Sequence, residues 1–148
     1  VGLSDAREGA SRFYDQVVTV DAQAHAVDRY LEMVRALGIS FAEKNLAGAC
    51  FDDAIAVKTD FQGCDLYWAR FFRANVQGAD FRKARLNGAT LDLADFTNAD
   101  LRGADFGPDN LNGHTSVVET NFKGAKYDRY TVLPDGLLPQ SRGMIYSE

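Results

Sequence analysis

Tryptophan occurs once in this chain of 148 residues, cysteine, histidine and methionine twice each, and proline three times. Two cysteines cannot build a disulfide framework. Two histidines, His25 and His114, lie far apart in sequence without a cysteine at metal-binding spacing, so no metal site is expected. No Gly-rich phosphate loop, nucleophile elbow or paired-cysteine motif occurs, and neither catalytic residues nor a cofactor are expected. No apolar run approaches the ~20 residues of a membrane span. Positive charge is short as well. Sixteen Lys and Arg against 21 Asp and Glu leave a net charge of −5, which argues against direct binding to nucleic-acid phosphates and weakly favours a basic partner. Val1 stands where a Met would, which reads as a trimmed, processed or cloned start. The expected location is cytoplasmic, and export after signal removal is compatible with the sequence.

What the chain has is a period of five. From Phe41 the series Phe41, Leu46, Phe51, Ala56, Phe61, Leu66, Phe71, Val76, Phe81, Leu86, Leu91, Phe96, Leu101, Phe106, Leu111 runs without a break, and only Ala56 and Val76 are neither Phe nor Leu. Two residues before each of these, Ala dominates from Ala49 to Ala104. Five matches neither the helical period of 3.6 nor the strand period of 2, and so short an internal repeat indicates a solenoid.

Runs such as Ala79-Asp80-Phe81-Arg82-Lys83, Ala94-Asp95-Phe96-Thr97-Asn98 and Ala99-Asp100-Leu101-Arg102-Gly103 resemble the pentapeptide-repeat family over roughly residues 39 to 133. The resemblance implies an all-β solenoid, a right-handed quadrilateral β-helix with four pentapeptides per coil and four to five coils here. In that frame the large residue and the small one two before it both point inward, and Asp or Asn just before the large one and Gly two after it suit the turns between sides. Residues 21–37 have helical spacing from Asp21 to Leu37 and stop at Gly38. An N-terminal α-helical cap over the first coil is therefore expected, since solenoid ends must be covered. The expected organisation is an N-terminal segment and capping helix over 1–38, the β-helix over 39–133, and a closing tail over 134–148 with Leu137, Leu138 and Met144 as plugs.

Four quintets per coil sort the central residues into four columns. The first holds Phe41, Phe61, Phe81 and Leu101, the second Leu46, Leu66, Leu86 and Phe106, the third Phe51, Phe71, Leu91 and Leu111, and the fourth Ala56, Val76 and Phe96. Phe122 follows Leu111 by eleven residues, one more than two quintets. A bulge on the fourth side near His114 to Val118 is expected, after which Phe122 continues the first column and Tyr127 the second. Cys64 is expected inward and Cys50 outward. Lys44 takes an inward slot near the open end, where its stem can snorkel. Asp109 takes an inward slot where it needs backbone N–H partners, and Pro108 fits a corner.

Two surface features stand out. Tyr67, Trp68 and Phe72 occupy outward slots that usually hold polar residues or Gly, with Arg70 and Arg73 beside them and Leu93 one coil above Arg73. Trp, Tyr and Arg dominate interface energies, so this patch is the leading candidate for binding a protein partner. The competing reading is that residues 1–20, with Phe13, Tyr14, Val17 and Val18, fold back over it. The second feature is acidic. Asp60, Asp80 and Asp100 share one outward column, flanked by Asp65, Asp95 and Asp105. These carboxylates serve the turns or, alternatively, imitate nucleic-acid phosphates, as the family resemblance implies for protectors and inhibitors of type II topoisomerases. Arg82, Lys83, Arg85 and Arg102 dilute that wall. A cryptic enzyme or small-molecule binder is a third, weaker reading.

Overall fold

The computed structural model describes residues 41–148. The capping helix, His25 and the aromatic residues of 1–20 lie outside these residues.

Each quintet builds one side of a square coil in the same way. The central residue closes a turn by accepting a hydrogen bond three residues on, as in Lys44 N–H to Phe41 C=O (3.0 Å) and Ala84 N–H to Phe81 C=O (3.0 Å). The residue two after the central one has positive φ at every quintet from Glu43 (59°) to Gly103 (69°). A positive φ at only the third residue of such a turn is the type II pattern. The remaining residues of the quintet run straight and pair in parallel with the coil twenty residues on: Asn45 with Asp65, Cys50 with Arg70, Ile55 with Asn75, Asp60 with Asp80. Four pairings per coil give the square section, and successive coils stack at about 4.8 Å.

The interior follows the columns read from the sequence as far as Phe106. In the first column Phe41 and Phe61 stack at 5.4 Å and Phe61 and Phe81 at 4.9 Å. In the third, Phe51 and Phe71 stack at 4.8 Å, and the two columns meet edge to face. The alanines from Ala54 to Ala104 are buried and leave room for these rings. Aromatic pairs of this kind add about 0.5–1.5 kcal/mol beyond burial. Cys64 fills one small inward slot, where its thiol donates to Phe41 C=O (2.8 Å). Burial pushes that thiol up to about 11, so it is protonated and unreactive at neutral pH. Cys50 is half-buried in an outward slot, and both cysteines are free. Lys44, at the end of the described solenoid, is exposed.

Beyond Phe106 the columns differ from expectation. Thr90 pairs with Ser116, twenty-six residues on instead of twenty, so six residues are inserted, and they leave the solenoid between the second and third sides as a loop over 107–115. Val117 takes the third-column place expected for Leu111, which is 72% exposed on the loop. Phe122 stacks on Phe96 at 5.5 Å in the fourth column, not the first. Tyr127 continues the first column, not the second, because Lys126 pairs with Asp100. Leu133 then follows Phe106 in the second, with one more residue inserted before Val132, which pairs with Asp105. An insertion of six shifts a five-residue repeat by the same phase as an insertion of one, which is why periodicity alone misplaced the side. Four full coils and the start of a fifth result.

The strand β1 (Lys126–Tyr127) pairs in parallel with β2 (Ile145–Tyr146). Between them a 3-10 helix, Pro139–Arg142, ends at Gly143 in the left-handed conformation. Met144 is buried as a plug, whereas Leu138 is 67% exposed.

Candidate functional site

The aromatic residues singled out in the sequence divide between two faces. Tyr67 and Trp68 lie on the second face, and the loop over 107–115 folds back onto them. The Tyr67 hydroxyl donates to Asn110 Oδ1 (2.5 Å) and accepts from Asn110 N–H (2.6 Å). The Trp68 indole N–H donates to Asp109 Oδ2 (2.6 Å), and the rings of Tyr67 and Trp68 lie 4.9 Å apart. Gly88, one coil above Trp68, makes this geometry available, since a Cβ there would stand 2.5 Å from the indole Cδ1. Arg85 covers the other side of Tyr67, 4.4 Å from the ring centre.

Asp109 is the knot of the loop. It is on the outside, not in the expected inward slot, but it has the expected backbone donors, Leu111 N–H (2.8 Å) and Gly113 N–H (2.6 Å). The Trp68 indole N–H holds its carboxyl below the usual carboxylate range against desolvation, and the Gly113 and Leu111 N–H groups and the nearby His114 add to this. Beneath the loop, buried Asn87 donates its side-chain amide to Gly107 C=O (3.3 Å) and Pro108 C=O (3.4 Å). Pro108 itself is exposed. His114 Nδ1 sits 2.9 Å from Asp135 Oδ2 and links loop to tail in an exposed pair. Sequence reasoning missed Asp109, Asn110 and Asn87 as partners of the aromatic pair, because the insertion has no register. The signal it offered was Gly88, the residue directly above Trp68.

The third face carries Arg70, Phe72, Arg73 and Leu93. Arg73 forks onto Asp53 (2.7 and 2.9 Å) and lies 5.0 Å from the centre of the Phe72 ring. Arg70 pairs with Asp52, which also accepts Phe72 N–H (3.0 Å). Leu93 stands one coil above Arg73, as expected, with φ of 61° and 43% exposure.

The acidic column is engaged in local structure. Asp60, Asp80 and Asp100 each accept the backbone N–H two residues on, at 2.9, 3.0 and 3.2 Å, and Asp65, Asp95 and Asp105 do the same on other faces. Arg82 forks onto Asp80 and Arg102 onto Asp100. Burial alone would raise Asp100, but the Arg102 guanidinium and N–H and the charge of Arg82 together hold it below the usual range. A shallow groove of about 320 Å³ on this first face is lined by Gln62, Arg82, Lys83, Arg102, Asp128 and Tyr130, among others. Its two arginines are already turned onto carboxylates. Among the described residues no cluster of His, Cys, Asp and Glu could hold a metal, and no helix is long and apolar enough to cross a membrane.

The sequence profile of pentapeptide repeats matches residues 39–78 and 69–107, in eight copies. The chain belongs to the pentapeptide-repeat family. No curated protein matches it. Among solved structures, a pentapeptide repeat protein from Nostoc Pcc 7120 is similar with a TM-score of 0.66 and 24% identity, over 79% of this chain and 93% of that one, a likeness of fold. A second, from the cyanobacterium Cyanothece 51142, is 37% identical over 61% of this chain and 54% of that one, with a TM-score of 0.34. A third, from the Arabidopsis thaliana thylakoid lumen, is 30% identical over 63% of this chain and 70% of that one, with a TM-score of 0.29. As a pentapeptide-repeat protein the chain is a right-handed quadrilateral β-helix, and proteins of this family are generally structural or interaction modules, not enzymes.

Proposed function

We propose that this pentapeptide-repeat protein is a non-catalytic protein-interaction module whose partner docks on the third face, around Leu93, with Phe72, Arg70 and Arg73 beside it. The observation that carries this reading is Leu93 itself. A leucine at positive φ is an outlier, and the left-handed conformation costs roughly 1–2 kcal/mol for a residue with a Cβ. Leu93 has no polar side chain to gain a local hydrogen bond in return and remains substantially exposed. Trp68 is in the same backbone state, but it ties down the loop. The turn demands positive φ at this position but not a leucine; backbone strain clusters at functional surfaces, and Leu93 stands beside the Phe72 and Arg73 pair. Tyr67 and Trp68 are read as the loop's anchor and as the edge of the same surface.

The alternative, a topoisomerase protector imitating nucleic acid through Asp60, Asp65, Asp80, Asp95, Asp100 and Asp105, ranks below it. Those carboxylates cap turns, and several are paired with arginine.

The test is affinity capture from a source lysate with wild type and Leu93→Asn, Asn being tolerant of the left-handed turn. The expected result is one protein retained by wild type and lost by a variant whose melting temperature is no lower. Equal retention by both would remove Leu93 from the site.

A further inference from the structure

The two halves of the third face differ in charge compensation. In the lower half each carboxylate has a cation: Arg70 for Asp52, and Arg73 for Asp53 at 2.7 Å. In the upper half Asp92 receives, among the described residues, only neutral donors, Ser116 Oγ (2.6 Å) and Val118 N–H (2.9 Å). Glu119, exposed at φ of 54°, has no ion pair among the described residues. Leu93 lies directly below Glu119, its N–H bonded to Val118 C=O (2.9 Å). Val118 lies directly above Asp92 and is 61% exposed. The arrangement is therefore two aliphatic side chains on adjacent coils, each next to a carboxylate without a countercharge among the described residues.

We infer that this upper half recognises a basic segment with an apolar side in the partner protein, aliphatic groups resting on Leu93 and Val118 and Lys or Arg reaching Asp92 and Glu119. The inference rests on the interaction-module reading and adds the partner's chemistry. Covering the aliphatics brings the partner over both carboxylates. An uncharged partner would desolvate them without compensation, and an acidic one would add repulsion. A basic segment turns both into attraction that speeds encounter and weakens with salt. The first face offers no such demand, because Arg82 and Arg102 already neutralise Asp80 and Asp100.

The experiment titrates the full chain, labelled with nitrogen-15, with a short helix-forming peptide of Lys and Leu and with its Glu and Leu counterpart. The Lys and Leu peptide should move the amide signals of residues 92–93 and 116–119, and the Glu and Leu peptide should not. Added salt should weaken the binding, and Glu119→Lys should lower the affinity on the order of tenfold. The salt titration uses wild type alone and needs no folded variant. Shifts scattered over the acidic turns of other faces, equal shifts with the acidic peptide, or indifference to Glu119→Lys would overturn the inference. Capture that is lost in Leu93→Asn but survives Glu119→Lys removes the basic partner and leaves the interaction module. Capture that survives both removes both.

Discussion

Trp68 and Leu93 occupy equivalent turn positions on neighbouring faces, with φ of 57° and 61° and exposures of 45% and 43%. Around Trp68 the molecule supplies a hydrogen-bond acceptor in Asp109, an aromatic neighbour in Tyr67 and a glycine that leaves the indole its space. Around Leu93 the described residues supply exposed aliphatics and carboxylates without countercharges among them. One strained turn is explained inside the described chain; the other is the one for which a partner is proposed. A bulky residue in a turn slot is thus no site by itself; what matters is whether local structure accounts for its strain.

Four predictions break or sharpen that comparison. The largest effect lies beneath both residues. Phe81 is fully buried between Phe61 and Phe96, and Phe81→Ala should cost ~3–5 kcal/mol in chemical unfolding. A loss well below that would mean that the columns are packed otherwise. Next comes acid. Asp95, Asp100, Asp109 and Asp128 are held below the ordinary value of 3.8. A depressed folded-state value contributes stability that is fully present above the ordinary, unfolded-state value and is lost as pH falls through the folded one. Melting temperature should therefore be flat down to about pH 4 and fall below it, with Asp109 releasing the loop. Stability that rises on acidification would contradict the assigned donors.

Smaller effects separate the two residues. Trp68→Phe keeps a ring but removes the indole N–H, so hydrogen exchange at Leu111 and Gly113 should accelerate while that at Phe81 does not change. Unchanged exchange at both loop amides would show that the loop holds without Trp68. The smallest expected loss is in Leu93→Asn, whose unfolding free energy should fall no more than about 0.5 kcal/mol below wild type, Asn being tolerant of the left-handed turn. A larger loss would make Leu93 a structural residue like Trp68.

Much of the solenoid was legible in the residues. Phe or Leu every five positions, with Ala two before each, places every column up to Phe106, puts Cys64 inside, and sets Leu93 above Arg73. The repeat carries phase but not count, so six inserted residues looked like one, and Leu111, Phe122 and Tyr127 were assigned to the wrong columns or to none they occupy. The Trp68–Asp109 bond joins a repeat to a segment without one, and no periodicity relates residues 41 apart in that way. The patch itself was legible only as a list. Tyr67 and Trp68 belong to one face, and Arg70, Phe72, Arg73 and Leu93 to the next. Asp92, Val118 and Glu119, which complete the third face, gave no signal because two of them follow the insertion.

The measurement that tests the central claim most directly is photo-crosslinking in the source cells. A photoreactive residue would replace Leu93 in one variant and Asn98, which occupies the corresponding turn of the fourth face at φ of 59°, in another. The account predicts one discrete cross-linked partner from position 93 and none from position 98. The same products from both positions, or a partner caught only from position 98, would contradict it.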